Sequence, residues 1–217
     1  MQCIHAFVAR EAHGMGLALP GGPGLSSRPN LKEGAMNVWF QRMGRAMRLD
    51  ASLYEEVEAD RTATGQALGV VAISALAAGI GGAAMTGGVG ILAGILASLL
   101  GWVVWAGLIY LVGTKMLPEA NTRSDVGELL RTTGFATAPG VFRVLAAIPL
   151  IGPLIALAAA LWMYAAFVVA VRQALDYEST GRAMLVCFIG FCVYMGIAIA
   201  FFLLLGGAAL VGSQAMH

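Results

Sequence analysis

The sequence predicts an all-α, polytopic membrane protein: five transmembrane helices preceded by an N-terminal amphipathic helix at the membrane interface. Three observations point there. Charge is scarce, with 12% of the 217 residues charged against 59% hydrophobic and a mean hydropathy of +0.81, whereas soluble domains are about a quarter charged. Charge is also segregated. Residues 62–114 and 183–217 contain no Asp, Glu, Lys or Arg, and residues 132–171 contain only Arg143; uncharged apolar runs of about 18 residues or more read as membrane spans. Finally, the 29 glycines fall largely inside these apolar runs, where small residues let helices pack closely.

Residues 1–35 include "ALPGGPGLSSRPN", which has neither helical nor strand periodicity. No basic segment leads into a continuous apolar one, so this is not a secretory signal. We expect a disordered leader, with Met36 as the natural start. Lys32-Glu33-Gly34 can be encoded as AAG GAG GG-, a ribosome-binding sequence placed suitably ahead of a start codon.

Residues 36–65 read as cytoplasmic amphipathic and acidic helices. Met36, Trp39, Phe40, Met43, Ala46 and Met47 share one face of a helical wheel, with Arg42, Arg45 and Arg48 on its flank and opposite face. A basic helix of this kind is expected at the headgroups, with Trp39, Phe40, Arg42, Arg45 and Arg48 as interface residues. Packing as a soluble helix on the membrane domain is the other reading. In "SLYEEVEAD", Ser52 and Glu55 have capping-box spacing, and Glu55, Glu56 and Glu58 read as a solvated face.

The membrane domain is expected over residues 66–211. The first uncharged run fits spans at 66–85 and 89–111, divided near Thr86-Gly87-Gly88. Gly90, Gly94 and Ser98 in the second span, and Ser74, Ala78 and Gly82 in the first, form small-residue ridges on which the two would pack as a hairpin. Trp102, Trp105 and Tyr110 gather toward the end of span two, as an aromatic belt does. A polar loop follows, holding a short helix capped by Ser124 or Asp125. The run 132–171 accommodates two short spans, 134–148 and 153–171, broken at "IPLIGP", because Pro149, Gly152 and Pro153 do not continue a regular helix. Span five is 183–205. Five crossings put every Lys and Arg after Met36, Arg143 excepted, on one side of the membrane. By the positive-inside rule that side is cytoplasmic, with the N-terminus in and the C-terminus out.

Catalytic groups are missing from the pattern. The three histidines are His5, His13 and His217, which leaves no Ser-His-Asp, Cys-His or usual zinc set in the body. There is no phosphate-binding glycine loop and no carboxylate inside a span. We expect no enzyme, no cofactor and no metal. A net charge of +1 gives no reason to expect nucleic acid. Cys187 and Cys192 read as two buried thiols.

The stretch "WVVWAGLIYLVGTKMLPEANTRSDVGELLRTTGFATAPGVFRVLAAIPLIGPLIALAAALWMYAAFVVAVRQALDYESTGRAML" resembles the Yip1 membrane family, in its bacterial branch. The resemblance rests on the Trp-rich second span, "ELLR", Gly134-Phe135-Ala136-Thr137-Ala138-Pro139, the "IPLIG" break and "VRQALDYESTGRA". It implies five transmembrane helices, a cytoplasmic N-terminus and a bacterial inner-membrane location. Eukaryotic members are associated with Rab GTPases and membrane shaping, and carry a cytoplasmic Asp-Leu-Tyr-Gly-Pro motif. "LDASLYEEVEAD" lacks its Gly-Pro, so that binding does not carry over.

Two functions follow. One is a membrane-organising or partner-binding protein, in contact with lipid and with other membrane proteins or its own copies. The other is a small transporter or lipid- or anion-handling protein using Arg143, with Thr137 and Pro139 beside it. Arg143 would lie about 14 Å deep if its span starts near Gly134 and about 6 Å deep if it starts at Pro139. At mid-membrane an arginine costs about 2.5–3.5 kcal/mol on insertion scales. Three readings stand side by side: snorkelling to cytoplasmic phosphates, pairing with the carbonyls of Phe135 and Leu145 freed by the prolines, and a ligand or partner-carboxylate site.

Overall fold

A computed structural model describes the backbone over residues 31–86 and 91–214. The chain divides into two compact units, Met1–Asn37 and Val38–His217, and every contact given below lies within the second. The expectations for residues 1–30, for the turn at 87–88, for Gly90 and for His217 fall outside the described residues.

Helix α1 (Leu31–Met47) starts ahead of Met36. The chain reverses at Leu49, which has φ 59°, and enters α2 (Ala51–Ala59). The cap of α2 is Asp50, not Ser52: the Asp50 carboxylate accepts from the Ser52 N–H at 3.0 Å and the Ser52 hydroxyl at 2.7 Å. A carboxylate one residue before the helix reaches its orphan N–H groups directly. Leu53, Tyr54 and Val57 of α2 are fully buried, and burying an apolar side chain of this size is worth about 1.5–3 kcal/mol.

Helices α3 (Ala63–Thr86) and α4 (Ile91–Leu111) come next. A π-helical turn, Val112–Met116, extends α4, and the Tyr177 hydroxyl lies 2.9 Å from Gly113 O and 2.7 Å from Leu117 O. Helix α5 (Val126–Ala136) opens on a complete capping box. Asp125 accepts from the Glu128 N–H and Glu128 accepts from the Asp125 N–H, both at 2.8 Å. Helices α6 (Gly152–Ala174) and α7 (Thr180–Gln214) complete the chain. Among the described residues there is no strand.

Among the described residues, four helices are long and apolar enough to cross a membrane: Ala63–Gly82, Ile91–Met116, Gly152–Ala174 and Thr180–Ala200. The expected third span, 134–148, is not among them. Its first residues end α5, and Ala138–Ala147 then form a 3-10 helix. Pro139 explains the change. It has no N–H for an α-type bond, and its ring crowds the carbonyl four residues back, so the chain tightens: Thr137 N–H donates to Gly134 O and Gly140 N–H to Thr137 O. Pro149 ends the segment by pushing Ile148 into extended backbone, φ −73° and ψ 121°.

Ten residues of 3-10 helix are unusual; Gly81 and Gly152 line the bed that holds them, and Gly140 is the close-approach position within the segment itself. A Cβ at Gly81 would stand 1.9 Å from Arg143 O, one at Gly152 2.1 Å from Ala146 O, and one at Gly140 2.0 Å from Ser74 Oγ. The thin segment thus lies backbone-close between α3 and α6. Helix α5 meets α3 in the same way at Gly134, whose Cβ would come within 2.7 Å of Ala67 Cβ.

Candidate functional site

The end of the bundle carrying the polar loops is closed by α1 and α2. Arg42 is only 8% exposed. Its Nε donates to Glu56 at 2.9 Å, its Nη1 to Gln66 Oε1 at 3.0 Å, and its Nη2 pairs with Asp60 at 2.9 Å. Arg45 pairs with Asp50 at 2.8 Å and with Glu56 at 2.5 Å. Hydrogen bonds from Arg45 and Arg42 hold Glu56 below the usual carboxylate range, and those from Thr62 and Arg42 do the same for Asp60. Asp50 falls to about 2 under hydrogen bonds from Arg45 and Ser52. The Trp39 indole donates to Gln66 O at 3.1 Å. The cap is fastened to the bundle by Arg131, whose Nε donates to Val57 O at 3.0 Å and whose Nη2 donates to Glu58 O. Gln173 also donates to Glu55 at 2.8 Å.

Beneath the cap lies a cavity of about 720 Å³ lined by Glu55, Glu58, Glu128, Asp176, Glu178 and Arg172, among others. Burial, then the neighbouring charges of Glu128 and Asp176, push the Glu58 carboxyl up to about 7. Among the described residues no three His, Cys, Asp or Glu side chains are placed to hold a metal ion.

The second site is built around Arg143. A cavity of about 570 Å³ is lined by Arg143, Ser74, Ser98, Trp105, Thr137 and Tyr194 with further apolar side chains. A neighbouring one of about 330 Å³ shares Arg143, Trp105 and Tyr194 and adds Ala156, Ala160 and Tyr164. Five elements contribute: α3, α4, the 3-10 segment, α6 and α7. Ser74 is about 16 Å along α3, Trp105 about 21 Å along α4, Met163 about 16 Å along α6 and Tyr194 about 21 Å along α7. The cavity is therefore near mid-length of the helices that form it. Trp105 packs on Phe167 and Tyr194, with ring centroids 5.6 and 6.2 Å apart.

Position bears on two of the readings of Arg143. Its carbonyl lies against Gly81, about 27 Å along α3 from Ala63, so the charged-loop end is out of snorkelling reach. The freed carbonyls are also occupied: Thr137 N–H donates to Phe135 O, and Ile148 N–H donates to Leu145 O at 3.1 Å. The Arg143 side chain makes no hydrogen bond or ion pair with another described residue.

The other predicted residues fall as follows. Thr137 and Pro139 are buried, and the Thr137 hydroxyl donates to Gly134 O at 2.7 Å. Ser74 is buried against Gly140. Ala78 and Gly82 are half-buried, Gly94 and Ser98 are exposed, and a Cβ built at Gly94 meets no neighbouring element within 4 Å among the described residues. Trp102 is buried, donating to Thr133 Oγ1 at 3.3 Å, and Trp105 lines the cavity. Both rings face inward, so they are not a surface belt. Phe40 and Arg48 are exposed. Cys187 is buried, but Cys192 is exposed. Sequence reasoning missed the pairing of Arg42 and Arg45 with α2, although a basic helix followed at once by an acidic one was the available signal.

A family model described as the Yip1 domain matches residues 51–212. The chain belongs to the Yip1 domain family. The match begins at the first residue of α2 and takes in all three cavities and all four membrane-long helices. The Yip1 domain and these helices make the chain a multi-pass membrane protein in contact with lipid, and membership is consistent with a non-enzymatic role. No curated protein and no solved structure matches the chain.

Proposed function

We propose that this Yip1-domain protein is a non-enzymatic membrane organiser that binds partners through its polar end, as an accessory or scaffold subunit or as a homo-oligomer. The observation that carries this reading is the preassembled cap. Arg42, Arg45 and Arg131 lock α1 and α2 onto the bundle, and the acidic cavity of Glu55, Glu58, Glu128, Asp176 and Glu178 lies open beneath them. A rigid acidic concavity suits a basic segment of another protein. Residues 36–65 then form a cytoplasmic platform, with exposed Phe40 and Arg48 left to touch headgroups. The 3-10 segment, continuing α5, supplies a fifth crossing. With five crossings the charged loops lie on the cytoplasmic side of a bacterial inner membrane and the C-terminus on the other.

The test is isolation of the full chain in mild detergent at native abundance, beside a Glu55→Lys/Glu128→Lys variant. A partner or self-assembly held by the wild type and released by the charge reversal supports the reading. A strictly monomeric, partner-free wild type refutes it.

A further inference from the structure

The Arg143 cavity has an unmet need of one chemical kind. Arg143 and Trp105 both line it, and both side chains carry hydrogen-bond donors and no acceptor. Trp105 Nε1 is buried without an acceptor, and the Arg143 guanidinium has none among the described residues. Ser74, Ser98 and Tyr194 add hydroxyls to the same wall. Among the described residues no carboxylate lines either cavity. Donors gathered around a full positive charge, with no carboxylate beside them, call for an oxyanion.

The shape of the site narrows the choice. The adjoining cavity carries Arg143 outward between α6 and α7, along Ala156, Ala160, Tyr164 and Phe191. Tyr164 and Phe191 are 37% and 51% exposed, and the small alanines leave a furrow beside them. An anionic head at Arg143 with an apolar tail in this furrow satisfies both parts.

We propose that Arg143 and Trp105 form a binding site for the phosphate oxyanion of an amphiphile that enters sideways between α6 and α7. The site stands independently of the partner-binding reading. Its shared chemistry, a phosphate on a guanidinium, can come from a lipid headgroup or from free phosphate, and the experiment separates the two.

The full chain is held in maltoside detergent, which carries no phosphate, and titrated with short-chain phosphatidylglycerol, with short-chain diacylglycerol, and separately with inorganic phosphate. Binding is read by Trp fluorescence and by native mass spectrometry. The wild type is expected to prefer phosphatidylglycerol to diacylglycerol by about tenfold or more, and Arg143→Gln to lose that preference. Arg143→Lys should keep part of it, and Trp105→Phe should weaken binding by about fivefold. Phosphate binding that vanishes in Arg143→Gln, without lipid preference, supports the site and assigns it to the free anion. Unchanged lipid binding in folded Arg143→Gln overturns the proposal, as does a wild type indifferent to both probes. If Arg143→Gln does not fold, Arg143→Lys and Trp105→Phe decide: wild-type affinity in both overturns it.

Discussion

Gly81 of α3 lies against the carbonyl of Arg143, so close that a Cβ on Gly81 would stand 1.9 Å from that oxygen. The contact fixes how near the 3-10 segment comes to α3, and so where Arg143 enters the cavity. Gly81→Ala must push two backbones apart, and overpacking of this kind costs about 1–3 kcal/mol. Gly94→Ala, where no atom lies within 4 Å of the added Cβ, is the control. Thermal unfolding in detergent should show a lowered midpoint for Gly81→Ala and an unchanged or raised one for Gly94→Ala.

The arginines of α1 should separate sharply. Arg42 is buried among Glu56, Asp60 and Gln66, whereas Arg48 is exposed. Truncating Arg42 leaves its carboxylates unmatched. Because Glu56 is 41% exposed and Asp60 28%, water softens the loss to about 1–3 kcal/mol, below the value for a fully buried pair. Arg42→Ala should release α1 and α2 to limited proteolysis, while Arg48→Ala should stay within about 0.5 kcal/mol of wild type. Equal protease resistance in the two would rule out the ion-paired cap.

Some of this was legible in the residues and some was not, for physical reasons. The capping box at Asp125 and Glu128 is local chemistry, and the sequence pointed to its place. Pro139 and Pro149 marked both ends of the segment around Arg143, and the arginine itself stood out in an apolar run. The 3-10 winding was hidden, because over ten residues an apolar pattern does not separate three residues per turn from 3.6. The ion pairs of the cap were hidden for another reason. A helical wheel treats each helix alone, and the left-handed residue Leu49 turns α2 back on α1, which converts a lipid-seeking basic flank into an ion-paired one. The Arg143 cavity draws on five elements, a juxtaposition that only tertiary packing produces.

Glu58 makes stability depend on pH in a direction opposite to its neighbours. Its folded carboxyl titrates near 7, against 4.5 for an unperturbed glutamate, so between those values the folded chain binds the extra proton. The contribution is fully present below about 4.5 and is lost as pH rises through about 7. Asp50, Glu56 and Asp60, all lowered, lose stability only on the acid side, so among these four carboxylates Glu58 is the one that acts between about pH 5 and 8. Over that window the wild-type melting temperature should fall, and Glu58→Gln should remove the fall. A Glu58→Gln slope identical to wild type would show that another group titrates there.

Arg131 ties the cap to the titration of Glu58. It is 6% exposed and holds the carbonyls of Val57 and Glu58 at the end of α2, while its charge also draws the Glu58 carboxyl downward against burial, Glu128 and Asp176. Arg131→Met keeps much of the side-chain volume but removes both effects. Two carbonyls then lose a charged donor, at about 1.5–3 kcal/mol per bond, and α2 should exchange its amide hydrogens faster. The Glu58 titration should shift to higher pH, since the Arg131 charge no longer opposes its protonation. Lysine is no substitute, because a single ammonium does not span two carbonyls as the guanidinium fork does. Arg131→Lys should therefore restore the pH of the Glu58 transition more fully than it restores protection of α2. A lysine variant that recovers both equally would mean that charge alone, and not the two-carbonyl bridge, fastens the cap.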